Sequence, residues 1–255
     1  MRQGLRVIID TAGRPPWWQM ALDEALLEAA GRGVSPPTLR VYTFSPTSVS
    51  IGYFQSLRGS VRLEEAERLA VPVVRRFTGG GSVLHSEDGE VTYSIALPAE
   101  GRLRDIVESY RILCTALASA LRMLGVEAAY APPNDVVVAG RKVSGNAQAR
   151  RGRALLQHGT ILLRPDRELM EKLLVAPRAK LESHGVSGIG ERVVGVEEVL
   201  ERRLGLEELA EVLEKAFAET LQLEPYRGWY TLKELEHART LKNKYRSRQW
   251  LEKRP

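Results

Sequence analysis

Apolar positions along this chain follow two periods, and the change between them divides it near residue 165. Before that point the apolar runs are short. "LRVII" (5–9), "TLRVYTF" (38–44), "SVSIGYF" (48–54), "VPVVRR" (71–76), "VTYSIAL" (91–97) and "ALLQHGTILL" (154–163) have the length and β-branched content of strands. A Ser-Pro turn joins the second run to the third. "NDVVV" and "RKVSG" flank Ala139-Gly140 and predict a hairpin with a two-residue turn.

Helical spacing is interleaved with these strands and then takes over. Pro15 and Pro16 suit the start of a helix, where a missing N–H costs least. In the following "WWQMALDEALLEAA", Trp18, Ala21, Leu22, Ala25, Leu26 and Ala29 make one apolar stripe, and Asp23, Glu24 and Glu28 fall elsewhere. "RLEEAERLA" predicts a short helix. A longer stripe runs from Leu103 through Ile106, Val107, Tyr110, Leu113, Leu117 and Leu121 to Leu124, with Gly125 placed to end it. After Pro165 come "RELMEKLL", "GVEEVLERRL" and "LEELAEVLEKAFAETL". Strands gathered in 1–165 and helices in 166–255 predict an α+β fold rather than alternating βαβ units.

Composition excludes several classes. No apolar run approaches the roughly 20 residues of a membrane span, and "MRQGLRVIIDTAG" lacks a signal-peptide core, so a cytoplasmic protein is expected. The single cysteine, Cys114, allows no intrachain disulfide and no thiolate metal cluster; beside the long stripe it reads as a small buried hydrophobe. The formal charge of +5 is local. Residues 227–255 carry nine Lys or Arg against three Asp or Glu, and the rest of the chain carries 28 against 29. Such segregation argues against a general phosphate-binding surface, so nucleic acid is not expected as a partner.

Candidate chemistry sits in "RRFTGGGSVLH", where two arginines precede three consecutive glycines and a histidine follows. Ordering glycine costs roughly 0.5–1 kcal/mol more than ordering alanine, so the run needs a reason. A P-loop would require a following Lys and a helix, and a dinucleotide fingerprint would require G-x-G-x-x-G opening a helix; neither is present. A turn presenting backbone amides to a phosphate or carboxylate fits the glycines, and so does a wide turn without a ligand. Two further stretches favour the ligand. "NDVVVAGRKVSGNAQ" places Asp135 across a hairpin from Lys142, whose ammonium suits a phosphate or an oxyanion. "QHGTILL" sets His158 beside Gly159, where backbone can approach closely.

These three blocks, with "MALDEALLE", "LRVYTFSPTSVSIGYFQ" and "TLKELEHARTLKNKYRSRQW", resemble lipoate–protein ligases of the biotin/lipoate ligase-like superfamily over nearly the whole chain. The resemblance implies a mixed, mostly antiparallel sheet flanked by helices, as one catalytic domain over 1–255. It implies an ATP- and Mg²⁺-dependent reaction in which lipoate becomes lipoyl-AMP and the acyl group passes to a lysine of a carrier domain. Such carriers are the E2 subunits of 2-oxoacid dehydrogenases and the glycine-cleavage H protein.

Carried over residue by residue, the resemblance matches Arg76, Gly81, Ser82, Val83, Leu84 and His85 to the adenylate-binding block; the glycine turn itself adds Gly79 and Gly80, with Arg75 or Arg76 to supply charge-assisted hydrogen bonds. It matches Lys142 to the catalytic lysine, Asp135 to the acid near Mg²⁺ and phosphate, and Gly145, Asn146 and Ala147 to the adjoining ligand wall; Asn134 and His158, in their own stretches, are further candidates for binding. The family's usual His-Asp is here His85-Ser86-Glu87-Asp88. Little chain follows "KYRSRQW", which implies a short form whose accessory C-terminal domain is a separate protein. The alternative is an octanoyltransferase of the same superfamily, taking octanoyl from acyl carrier protein through a cysteine thioester. Enzymes of that kind in the ligase-like branch carry a cysteine shortly before the hairpin block, and "AYAPPNDVVV" has none. A non-catalytic carrier-binding subunit is the second alternative.

Overall fold

The structure, a computed structural model, describes residues 4–175 and 188–254. Its largest element is an eight-stranded mixed sheet, mostly antiparallel. At one end β1 (Gly4–Arg14) lies parallel to both β2 (Thr38–Phe44) and β11 (Glu224–Arg227). From β2 the sheet continues antiparallel through β6 (Glu90–Pro98), β10 (Ala154–Leu162), β9 (Arg141–Arg151), β8 (Asp135–Val138) and β7 (Ala128–Ala131). Ala139 and Gly140 both have positive φ, 47° and 78°, as the two-residue β8–β9 turn requires. A second sheet has three strands: β3 (Ser48–Ile51) between β4 (Val73–Arg75) and β5 (Val83–His85). The strand-rich half is therefore as the periodicity implies. β11 is a strand that periodicity does not reveal, because all four of its residues are exposed and its pairing is made through backbone alone.

Helices cover both faces of the large sheet. On one face α1 (Pro16–Gly31) packs beneath α7 (Leu232–Arg246). On the other, α3 (Ile106–Met123) packs beside α6 (Leu206–Leu221). Short helices α2 (Leu63–Arg68) and α4 (Arg167–Leu173) close the small sheet's own core, α5 (Val196–Leu200) lies in a connection, and α8 (Arg248–Leu251), the last element, packs Leu251 against that same core. Asp105 caps α3 by accepting from the Glu108 amide at 2.7 Å, and Gly125 ends the helix with φ +91°. Among the described residues no helix is long and apolar enough to cross a membrane.

One departure from the amphipathic reading matters for the site. Asp23 and Glu24 of α1 are not solvent-facing; they are 0 and 3 % exposed. The sheet covers one side of α1 and α7 the other, so both acids meet partners inside the protein. Lys244 and Tyr245 of α7 each reach Glu24 at 2.6 Å, and Arg40 of β2 reaches Asp23 at 2.8 Å. Removing one member of the fully buried Arg40–Asp23 pair costs about 3–5 kcal/mol, because the other is left charged and unpaired.

Candidate active site

A cavity of about 610 Å³ lies between the α1 face of the large sheet and the small sheet. Met20 of α1, Tyr42 and Phe44 of β2, and Leu84 of β5 give it apolar walls. Further apolar walls come from Leu162, Met170, Leu174 and Ile189. The loop between β4 and β5, which holds the glycines, forms another side.

The two arginines leading into that loop part company. Arg75 is fully buried and turned away from the cavity. It donates to the carbonyls of Gly52, Tyr53 and Gln55 on one side, and to those of Leu251 and Arg254 on the other. The expectation that Arg75 contacts a ligand is thereby corrected: neighbouring residues of an extended segment face opposite ways, and only Arg76 faces in. Arg76 lines the cavity, and its Nη2 donates to Gly79 O at 2.7 Å and Gly81 O at 2.6 Å. Gly80 between them has φ +91°, and a Cβ there would come 2.8 Å from Nη2, so only glycine closes the loop on the guanidinium. Burial pulls the Arg76 pKa down to about 10. Among the described residues the amides of Gly80, Gly81 and Ser82 donate to no acceptor. Amides left available beside a buried cation suit a carbonyl oxygen or an anion.

Both predicted histidines face the same cavity, and each is anchored from behind. Nδ1 of His158 lies 2.9 Å from Asp23 Oδ2, and Nδ1 of His85 lies 2.7 Å from Glu90 Oε1. Phe44 stacks on the His85 ring with centroids 3.9 Å apart. Burial pushes the His158 pKa below its ordinary value, and the Asp23 carboxylate offsets this only in part. For Asp23 itself, burial pushes upward, yet His158, Arg40 and Ser94 together hold the carboxyl below its ordinary value.

The hairpin brings Lys142 and Asp135 together at 2.7 Å. Asp135 is paired in register with Gly145, and a bulge between Val136 and Val137 shifts the strand so that the Lys142 side chain folds back across that glycine. Asn146 fixes the wall beside it: Tyr93 donates to its Oδ1 at 2.7 Å, and its Nδ2 donates to Asn134 O at 3.0 Å. Of the residues expected from sequence, Arg76, Gly80, Gly81, Ser82, Val83, Leu84 and His85 line the cavity. So do Asn134, Asp135, Lys142, Gly145, Asn146, Ala147 and His158. Gly79 stays behind Arg76 as an acceptor. For Mg²⁺, Asp135 offers one carboxylate already paired with a lysine. Among the described residues no group of three or more His, Cys, Asp or Glu side chains could hold a metal, a poor donor set for a cation that prefers several oxygens.

Four polar residues of the site escape sequence reasoning: Asp23, Ser50, Thr78 and Glu90, each 4 % exposed or less. Only Asp23 leaves a signal, as half of an acidic pair inside the otherwise apolar "MALDEALLE". Cys114 lies apart, on α3 under the opposite face of the sheet. Gln157 contacts its sulfur at 3.8 Å, while the next residue, His158, points the other way into the cavity. Burial raises the Cys114 pKa to about 12, so it stays a thiol.

Comparison with known proteins fits this geometry. The family model described as the lipoyl protein ligase A/B catalytic domain matches residues 15–218. The Octanoyltransferase LipM of Geobacillus kaustophilus is 34% identical, with 96% of this chain and 97% of that protein covered. Curated relatives of the same name from other bacteria lie at 30–36% identity. Among solved structures, a bi-partite lipoate protein ligase from Thermoplasma acidophilum is 28% identical, with TM-score 0.84 over 99% of this chain and 97% of that one. A lipoate-protein ligase A bound with ATP is 27% identical, with TM-score 0.82 over 99% of each chain. The mixed sheet flanked by helices is thus the fold of these ligases. The expected ATP-dependent lipoate ligase is corrected, because the curated relatives that match this chain along nearly their whole length are named octanoyltransferases. Nor do they give support to a separate accessory protein.

Proposed function

The chain belongs to the lipoyl protein ligase A/B catalytic-domain family, and from that premise we propose that it moves an octanoyl group from a thioester donor, acyl carrier protein, to a lysine of a lipoyl carrier domain. The observation that carries this reading is the shared name of relatives that cover this chain almost end to end. The cavity supports it. Met20, Tyr42, Phe44 and Leu84 offer walls for an unbranched alkyl chain. The Lys142 ammonium and the amides of Gly80 to Ser82 offer donors for its carbonyl. The carriers are E2 subunits or the H protein.

Cys114 takes no covalent part, being buried beneath the far face of the sheet. The acceptor amine therefore attacks the donor thioester directly. A C–N bond forms, the C–S bond breaks, the electron pair leaves on the thiolate, and the amine's proton passes to that thiolate through solvent. Charge develops on the acyl oxygen during attack, and fixed donors that meet it there lower the barrier. Holding acyl and amine together supplies the rest.

Purified protein incubated with octanoyl-acyl carrier protein and an unmodified lipoyl domain, without ATP, tests the reading by intact-mass analysis of the domain. Octanoyl amide on the carrier lysine is expected, and the Cys114→Ser variant should give the same product. Modification that appears only when free acid and ATP replace the thioester overturns it, as does no transfer at all.

A further inference from the structure

The two cavity histidines are built alike, and Arg76 joins them. From Arg76 Nε a hydrogen bond runs to Thr78 Oγ1 at 3.2 Å, and Thr78 Oγ1 lies 2.7 Å from His158 Nε2. From Arg76 Nη1 a second runs to Ser50 Oγ at 3.2 Å, and Ser50 Oγ lies 2.8 Å from His85 Nε2. Behind the rings stand Asp23 and Glu90. Each arm therefore reads guanidinium, hydroxyl, imidazole, carboxylate; His158 stands on β10 of the large sheet, and Ser50 and His85 on β3 and β5 of the small one.

The groups at the two ends of each arm, guanidinium and carboxylate, have fixed roles. Arginine can only donate, so each hydroxyl accepts from Arg76, and its one hydrogen is left for the imidazole. Behind each ring the carboxylate can only accept, so Nδ1 carries a proton, and Nε2 of the neutral ring accepts the hydroxyl hydrogen. Asp23 is further held by Arg40, Tyr42 and Ser94, and Glu90 by Thr92. We propose that Asp23 and Glu90 are positioning residues: through His158–Thr78 and His85–Ser50 they orient Arg76, which holds the carbonyls of Gly79 and Gly81 and so aims the glycine-loop amides at the acyl carbonyl. In that arrangement both rings are neutral with the proton on Nδ1. Protonating either ring would place a hydrogen on Nε2, reverse the hydroxyl and set a second cation beside Arg76.

The groups facing His158 all bear on its titration. Asp23 of α1 favours the charged ring; Arg76 of the loop and His85 of β5 oppose it. Arg40 and Tyr42 of β2 act from behind through Asp23, and Ser94 of β6 bonds the same carboxylate. Removing the Thr78 hydroxyl withdraws a bond made to the neutral ring, so its pKa should rise; removing the Asp23 charge withdraws support for the charged ring, so its pKa should fall.

The proposal rests on the acyl-transfer reading only for what the loop amides serve, and it is tested first on the chain without substrate. Nitrogen-15 NMR of the histidine rings near neutral pH, assigned with His85→Gln and His158→Gln variants, should show Nδ1 protonated and Nε2 accepting in both. A ring protonated on Nε2, or charged, overturns the proposal whatever the enzyme transfers. The His158 midpoint should move up in Thr78→Val, return in Thr78→Ser and move down in Asp23→Asn. Shifts of the same sign, or none, overturn it, and the Thr78 pair decides the matter if Asp23→Asn fails to fold. In the transfer assay Thr78→Val should lower kcat about 10- to 100-fold, as misplaced donors do, with KM for the carrier unchanged and Thr78→Ser restoring the rate. Unchanged kcat in Thr78→Val removes the link from relay to loop.

Discussion

The ammonium of Lys142 rests across Gly145, and the absent side chain at 145 is what lets it reach Asp135. A Cβ at that position would collide with both Cε and Nζ of the lysine. Gly145→Ala should therefore displace Lys142 while sparing the strand, whose register is set by backbone pairing with β8 and β10. Removing Lys142 itself, as in Lys142→Ala, is expected to cost about 10²–10³ in transfer rate, the usual loss of one fixed donor at a developing oxyanion. Lys142→Arg should not restore the rate, since a planar fork cannot take the place of a compact ammonium. Gly145→Ala should fall between wild type and Lys142→Ala in kcat. A rate equal to wild type in both variants would remove Lys142 from the chemistry.

Cys114 provides a second check from the opposite direction. Its thiol is fully buried among the α3 and α6 core residues, and its raised pKa leaves it protonated at neutral pH. Cys114→Ala should keep full transfer activity and lose only the small packing energy of one sulfur, about 1 kcal/mol. Native protein should also resist alkylation by iodoacetamide until it unfolds. Loss of transfer in Cys114→Ala, with the melting temperature preserved, would restore a covalent role to this thiol.

How much of this was legible beforehand follows from the range of each interaction. Strand and helix periodicity is local, so β2, β6, β10 and the long α3 could be read directly, and the Ala139-Gly140 turn advertised its hairpin. Residues whose chemistry faces the cavity were legible where they clustered in sequence, as Arg76 to His85 and Asn134 to Ala147 do. What stayed hidden depends on distant segments. Asp23 is a site residue because Arg40, Tyr42 and His158 converge on it, and Glu24 is buried because α7, more than two hundred residues later, covers α1. Arg75 reads like a cavity residue because its neighbour lines the cavity; which of two adjacent arginines turns inward depends on the strand's facing, and no local pattern records that.

Arg75 gives a prediction about the tail. It donates to three carbonyls of the 52–55 segment and two near the C-terminal end, and Trp250 Nε1 returns a bond to Arg75 O at 2.8 Å. One side chain thus pins α8 against β4 and against the segment next to the glycine loop. Arg75→Ala should lower stability by about 3 kcal/mol, because five carbonyls, that of Gly52 buried and the others partly or fully reachable by water, lose a charged donor together. Hydrogen exchange across residues 248–254 should quicken far more than across β10. Unchanged exchange in 248–254 would show that the aromatic contacts of Trp250 with Tyr53 and Tyr245 hold the tail without Arg75.

The buried His158–Asp23 pair also fixes the sign of the acid dependence of stability. His158 has a folded pKa below its ordinary 6.5, chiefly through burial. Between those two values the unfolded chain binds a proton that the folded chain refuses, so stability falls as pH falls through that window. Asp23 acts in the same direction lower down: its folded pKa lies below the ordinary 3.8, so the unfolded carboxyl again protonates first. Both contributions are complete above pH 6.5 and are lost on acidification, His158 first. The melting temperature should therefore drop as pH is lowered from neutral to about 5, each lost kcal/mol costing roughly 2–4 °C in a chain of this length. In His158→Gln, which cannot titrate, the starting stability should be lower for want of the ring's two hydrogen bonds, yet the slope over the same range should be shallower. A slope as steep as that of wild type would mean that the acid sensitivity arises elsewhere than at His158.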